Sequence, residues 1–182
     1  LYTYGFVYEK NRFDFVTVVS PYHPGLPKES IMLQVLKKGR CDLDEFTVRL
    51  NDEQSYSDIL CAARATAMTE EELTDPAAVA NAVGRRAVSE RTERVALGSL
   101  KALATRQMSF FQTSLEHDEA ILEADASGTK SISANERRAV IVRSGEKRIW
   151  AWILAKAKQQ EAALAAKPPA TAPAASKPKD EL

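Results

Sequence analysis

The sequence predicts a mainly α fold: an irregular helical bundle with a short β piece at its front and a disordered tail behind. Three observations carry this. Helix starts recur after residue 68, as Thr69-x-x-Glu72, Asp75-Pro76, Thr113-x-x-Glu116 and Ser133-x-x-Glu136. Apolar residues follow them at helical spacing. The two strand-like stretches, Phe13 to Val19 and Asp42 to Leu50, lie before residue 51, and residues 166–182 have no apolar period.

In order along the chain, Phe13 to Val19 is aromatic and β-branched and predicts a strand. Pro21, Pro24, Gly25 and Pro27 make a turn-rich loop. Lys28 to Lys38 predicts a helix, with Ile31, Met32, Val35 and Leu36 on one face and Gly39 as its stop. Asp42 to Leu50 alternates, placing Phe46, Val48 and Leu50 on one side of a second strand. Glu53 to Met68 carries Ile59, Leu60, Ala63 and Ala67 at helical spacing, and a helix opened by Asp75-Pro76 ends at Gly84.

The longest clear helix is expected from Val88 to Gln112, with Val95, Leu97, Leu100, Leu103, Ala104, Met108 and Phe111 on a wide apolar face. Thr113 is expected to cap a short acidic helix through Glu123, followed by a loop over Asp125 to Lys130. Ser133 caps a last helix carrying Val140, Ile149, Trp150, Trp152 and Ile153. Gly145 inside it costs about 1 kcal/mol relative to alanine and predicts a kink or break. Residues 166–182, mostly alanine, proline, lysine and serine, cannot bury enough surface to offset their ordering entropy and predict disorder.

Composition narrows the function classes. Lys+Arg 25 against Asp+Glu 25 gives no global field toward nucleic acid or an acidic membrane. No apolar run approaches the ~20 residues that span a bilayer. Cys41, Cys61, His23 and His117 show no metal-ligand spacing, so no metal site is expected. The two cysteines form a disulfide or stay two buried thiols, and buried thiols are the expectation. The sequence has no G-x-G-x-x-G, P-loop or G-x-S-x-G. His117, in Leu115-Glu116-His117-Asp118-Glu119, is either an acid–base group or a solvated surface imidazole, and the acidic helix favours the second. Arg85, Arg86, Arg91 and Arg94 interleave with Glu90 and Glu93 as a charge-balanced face. Glu70, Glu71 and Glu72 complement a helix dipole. Residues alone lead to a helical binding or scaffold domain. Its aromatic start, Leu1-Tyr2-Thr3-Tyr4-Gly5-Phe6, reads as a cut through a larger fold.

Three stretches in order carry a resemblance. They are Tyr4-Gly5-Phe6-Val7 with Asn11-Arg12-Phe13, then Arg91-Thr92-Glu93-Arg94-Val95-Ala96-Leu97 running on to Thr113 through Leu122, and Arg143-Ser144-Gly145-Glu146-Lys147-Arg148-Ile149. Together they resemble the C-terminal part of SET-domain protein methyltransferases of the Rubisco large-subunit methyltransferase type. The resemblance implies three parts: residues 1–19 as the last edge of a SET domain, 20–165 as a helical substrate-binding domain, and 166–182 as the tail. It implies that Tyr4 lines the target side-chain pocket and that Phe6 packs near the adenine of S-adenosylmethionine. An aromatic, hydroxyl-lined channel suits in-line transfer from a sulfonium to an amine.

The family's cofactor loop and principal catalytic tyrosine would lie upstream of Leu1. The implied function is therefore the substrate-binding part of an S-adenosylmethionine-dependent protein-lysine N-methyltransferase, active only in the longer protein. Its partner would be a protein substrate, without nucleic acid or a membrane span. The alternatives are a non-catalytic protein-interaction module and a lumenal scaffold. The resemblance implies cytoplasm, nucleus or an organelle, whereas Lys179-Asp180-Glu181-Leu182 reads as an endoplasmic-reticulum retention address.

Overall fold

The computed structural model describes residues 15–17 and 46–166. It is mainly helical, as the sequence predicts. Two short strands, β1 (Phe15–Thr17) and β2 (Phe46–Val48), pair antiparallel with Phe15 opposite Val48 and Thr17 opposite Phe46. Both fall inside the expected strands. The expected helix over Lys28–Lys38, the boundary at residue 19 and the tail from Lys167 onward lie outside the described residues.

A turn with Asn51 at φ 62° leads into α1 (Glu53–Ala67). Asparagine is one of the few non-glycine residues that adopt this left-handed conformation readily. The Asp52 side chain accepts from the Gln54 amide at 3.1 Å and caps the helix. Helix α2 (Glu70–Thr74) closes the expected capping box: Thr69 Oγ1 accepts from the Glu72 amide at 3.2 Å, and Glu72 Oε2 accepts from the Thr69 amide at 2.9 Å. Asp75 caps α3 (Pro76–Val83), with proline at the first helical position.

Ser89 caps α4 (Glu90–Ser109), Ser114 caps α5 (Leu115–Ala126) and Ser133 caps α6 (Ala134–Ala165). Four expectations change here. Helix α4 is shorter than Val88–Gln112. The cap of α5 is Ser114, not Thr113, because the Thr113 hydroxyl is held by a buried ion cluster. Asp125 lies inside α5 instead of opening a loop. Gly145 does not end α6, which runs 32 residues unbroken and is the longest described helix. Gly145 is buried between buried Ser144 and Lys147, and packing on both sides of it offsets its weak helix propensity.

Helix α4 packs against both α1 and α6, and α5 packs on α6. The core between them holds Ile59 and Leu60 from α1, Leu97, Leu100 and Ala104 from α4, and Ile149, Trp150, Ile153 and Ala157 from α6. Ala96, Ala104 and Ala157 are fully buried, and their small side chains let the helices approach closely. Val95, expected on the apolar face, is 42% exposed, because it points opposite Leu97 and Leu100 around the helix. Cys61 is fully buried and disulfide-bonded, which corrects the expectation of a free thiol; Cys41 lies outside the described residues.

Ile153→Ala should destabilise the protein by about 2–5 kcal/mol, since the fully buried site cannot collapse freely, whereas Val95→Ala should change stability by no more than about 0.5 kcal/mol. Urea denaturation of both variants checks this; equal effects would contradict the packing described.

Candidate functional site

The charged groups sort into ionic clusters that lock the helices and a cleft that stays open. The first cluster joins α5 to α6. Asp118 is wholly buried and Lys147 is 1% exposed. Asp118 Oδ1 accepts from Thr113 Oγ1 at 2.9 Å and Arg143 Nη2 at 2.5 Å. Its Oδ2 accepts from Arg143 Nε at 2.9 Å and Lys147 Nζ at 2.5 Å. Lys147 also donates to Thr113 Oγ1 at 2.8 Å and the Ser114 carbonyl at 3.2 Å, and its Nζ lies 5.1 Å from the Phe111 ring centre. The carboxylate's four acceptor positions and the ammonium's three protons are thus all used. Burial pushes the Asp118 carboxyl up, but hydrogen bonds from Arg143, Lys147 and Thr113 outweigh it and hold the group well below the usual carboxylate range. On the nearby surface, Arg148 pairs with Glu119 at 2.8 Å.

A second pair joins α1 to α4. Arg64 Nε donates to Glu93 Oε1 at 2.7 Å and Nη2 to Oε2 at 2.8 Å, a bidentate pair with both residues buried. Arg64 Nη1 donates to the Arg85 carbonyl at 2.9 Å, where the chain turns with φ 57°. The Val88 amide donates to Glu93 Oε1 at 3.3 Å. One buried pair therefore fixes α1, α4 and the loop between α3 and α4.

Glu72 extends this arrangement. Besides capping α2, it accepts from Ser89 Oγ at 2.5 Å and Thr92 Oγ1 at 2.7 Å, tying two helix starts together. Burial raises its carboxyl, but Ser89, the Thr69 amide, Thr92 and Arg91 bring it below the usual value.

A cleft of about 230 Å³ opens beside the Arg64–Glu93 pair, lined by those residues with Leu97, Gln160, Ala163 and Leu164. Gln160 is held from behind: its Oε1 accepts from the Tyr56 hydroxyl at 3.1 Å. Burial pushes the Tyr56 phenol up to about 12, so it stays a donor at neutral pH. The Tyr56 ring meets Trp152 edge-on, with centres 5.8 Å apart. Lys101 and Glu161, paired at 2.5 Å, brace α4 against α6 near the same end.

Tyr4 and Phe6 lie outside the described residues. His117 is exposed on α5, its side chain outside the cluster that its neighbour Asp118 anchors. Arg94 pairs with Glu90 at 2.6 Å along α4, as the charge pattern predicts. Glu93 and Arg85 instead reach other elements, Arg64 and Asp58 respectively. Sequence reading missed Arg64, Lys147 and Gln160. A single buried charge leaves no periodic signal, and Lys147 stands among Arg143, Glu146 and Arg148, where nothing in the sequence marks it as the buried one. Among the described residues no group of three or more His, Cys, Asp or Glu is placed to hold a metal ion, and no helix is long and apolar enough to cross a membrane.

Fold and site define a helical bundle domain with its buried ions spent on architecture and one end open as a cleft. The chain belongs to the family described as Rubisco LSMT substrate-binding, whose model matches residues 32–149. That span takes in both ionic clusters and all of α1 to α5. A comparison with curated protein sequences found no match.

Asp118→Asn should destabilise the protein by about 3–5 kcal/mol, because it leaves Lys147 buried without its counter-charge. Asp118→Leu combined with Lys147→Met should cost less than Asp118→Asn alone. Because the folded-state pKa of Asp118 is depressed, its contribution is present above the unfolded value of about 4 and fades as pH falls below it. Denaturation midpoints across pH 2–7 (roughly the carboxylate range) should show an acid-side loss in the parent that is reduced in the double variant. Parallel curves would refute this role for Asp118.

Proposed function

We propose that this chain is the substrate-binding part of a SET-type, S-adenosylmethionine-dependent protein-lysine N-methyltransferase, holding a protein substrate beside an active site formed by sequence upstream. The observation that carries the reading is the family match over 32–149, which spans the ionic framework of the bundle. The ordered motifs of the sequence, from Tyr4-Gly5-Phe6 to the 143–149 segment, support it.

The cleft beside the Arg64–Glu93 pair does not fit the methyl donor itself. The cleft, at about 230 Å³, falls below the ~300–1,000 Å³ of small-molecule sites. Its Arg64 charge is already neutralised by Glu93. When bound, S-adenosylmethionine supplies an electrophilic methyl group, and that chemistry belongs to the upstream part. The task left to the helical bundle is to present a rigid surface to the substrate, so that association with it raises the local concentration of the target side chain at the reacting centre.

Incubation with labelled methyl donor and a protein substrate, read by mass spectrometry, should show methyl-lysine when this chain is joined to its upstream sequence and none with this chain alone. Transfer by this chain alone would refute an upstream active site. Absence of any protein methylation by the joined protein would refute the enzyme class.

A further inference from the structure

The geometry points to the cleft between α1, α4 and the end of α6 as the seat of one neutral aliphatic residue of the protein substrate. Its side chain would lie against Leu97 and Leu164, and its backbone carbonyl would meet Arg64 and Gln160. The inference rests on the reading of this domain as a holder of protein substrate.

Size is the first argument. About 230 Å³ is too small for a drug-sized ligand, yet ample for one medium side chain with its peptide group. Spare donors are the second. A guanidinium has five N–H groups, and Arg64 commits three of them, two to Glu93 and one to the Arg85 carbonyl. Each of its three nitrogens already donates, which leaves two N–H groups of a side chain that is 9% exposed with capacity to spare. A donor with spare capacity at the wall of a cleft gains from a neutral acceptor that reaches it. The Gln160 carboxamide is oriented by Tyr56 through its oxygen, which leaves its nitrogen as a further donor at the same rim. Charge is the third argument. Glu93 cancels Arg64 in place, so the cleft offers neither an anion for a lysine nor an uncompensated cation for a carboxylate. Donors without net charge, beside Leu97, Ala163 and Leu164, suit a carbonyl and an aliphatic chain.

The arrangement is preformed. Arg64 is held by two partners, Gln160 by Tyr56, and α4 by Lys101–Glu161 beside it. Little ordering is therefore needed on binding, which allows a single residue to contribute to recognition.

Methyl NMR of the full chain titrated with N-acetyl-L-leucinamide tests this. Saturable shifts are expected at the Leu97 and Leu164 methyls, with a millimolar dissociation constant. The lysine and aspartate analogues should bind at least about fivefold more weakly, the scale of one net hydrogen bond. Ala163→Trp, at an exposed helix position, should block the mouth and abolish the shifts. Gln160→Glu keeps the acceptor for Tyr56 but removes the amide donor, and should weaken the leucine probe several-fold. Absence of saturable shifts, unchanged binding in Ala163→Trp, or equal binding of the lysine analogue would each overturn the proposal. The titration involves no methyl transfer, so a failed methylation assay and a failed titration are separate results.

Discussion

Burying Lys147 imposes the strongest single constraint on this bundle. An ammonium out of water costs several kcal/mol unless an anion and further acceptors meet it. The chain supplies them from one short stretch: Asp118, the Thr113 hydroxyl and the Ser114 carbonyl. That requirement sets the rotation of α5 about α6, takes Thr113 out of the capping role and gives the cap to Ser114. It also needs α6 to be continuous. Arg143 and Lys147 lie four residues apart, on one face, and must reach the same carboxylate across Gly145. A break at the glycine would move one of them away. The unbroken α6 in turn carries Trp150, Ile153 and Ala157 onto α4 in a single register.

Much of this was legible in the sequence, and the reasons are local. Capping boxes are chemical signals confined to four residues, so Thr69–Glu72, Asp75-Pro76 and Ser133 fall where the pattern places them. Apolar periodicity places Leu97, Leu100, Ile149 and Ile153 in the core. What failed was non-local. Thr113 and Ser114 are equally good caps by sequence, and only Lys147, more than thirty residues on, decides between them. Gly145 is a weak helix former by propensity, and only tertiary packing overrides it. Glu93 looks like a partner for its arginine neighbours, yet the best available donor is Arg64, on another helix. The cleft was not legible at all, because it is defined by residues nearly a hundred positions apart.

The residues that carry the family resemblance are largely those that hold the bundle together. Glu93, Thr113, Asp118, Arg143, Lys147 and Arg148 are all ion-cluster or ion-pair members, and Leu97 is core. Except for Arg148, whose pair with Glu119 is exposed, each of these polar residues belongs to a contact whose loss would strand a buried charge. Such residues identify the domain without identifying what it holds. Selectivity for a substrate has to come from groups whose hydrogen-bonding capacity is not already spent.

That distinction separates the two buried arginine–carboxylate sites. At Asp118 every acceptor position is filled and the site is closed. At Glu93 the carboxylate accepts three hydrogen bonds, and Arg64 keeps two N–H groups at the wall of an open cleft. The first arrangement has nothing left to offer a ligand. The second fixes the guanidinium in place through Glu93 and Arg85, so its remaining N–H groups are oriented and have capacity to spare. An oriented donor with spare capacity beside an apolar wall is where an incoming peptide can gain most for the least reorganisation.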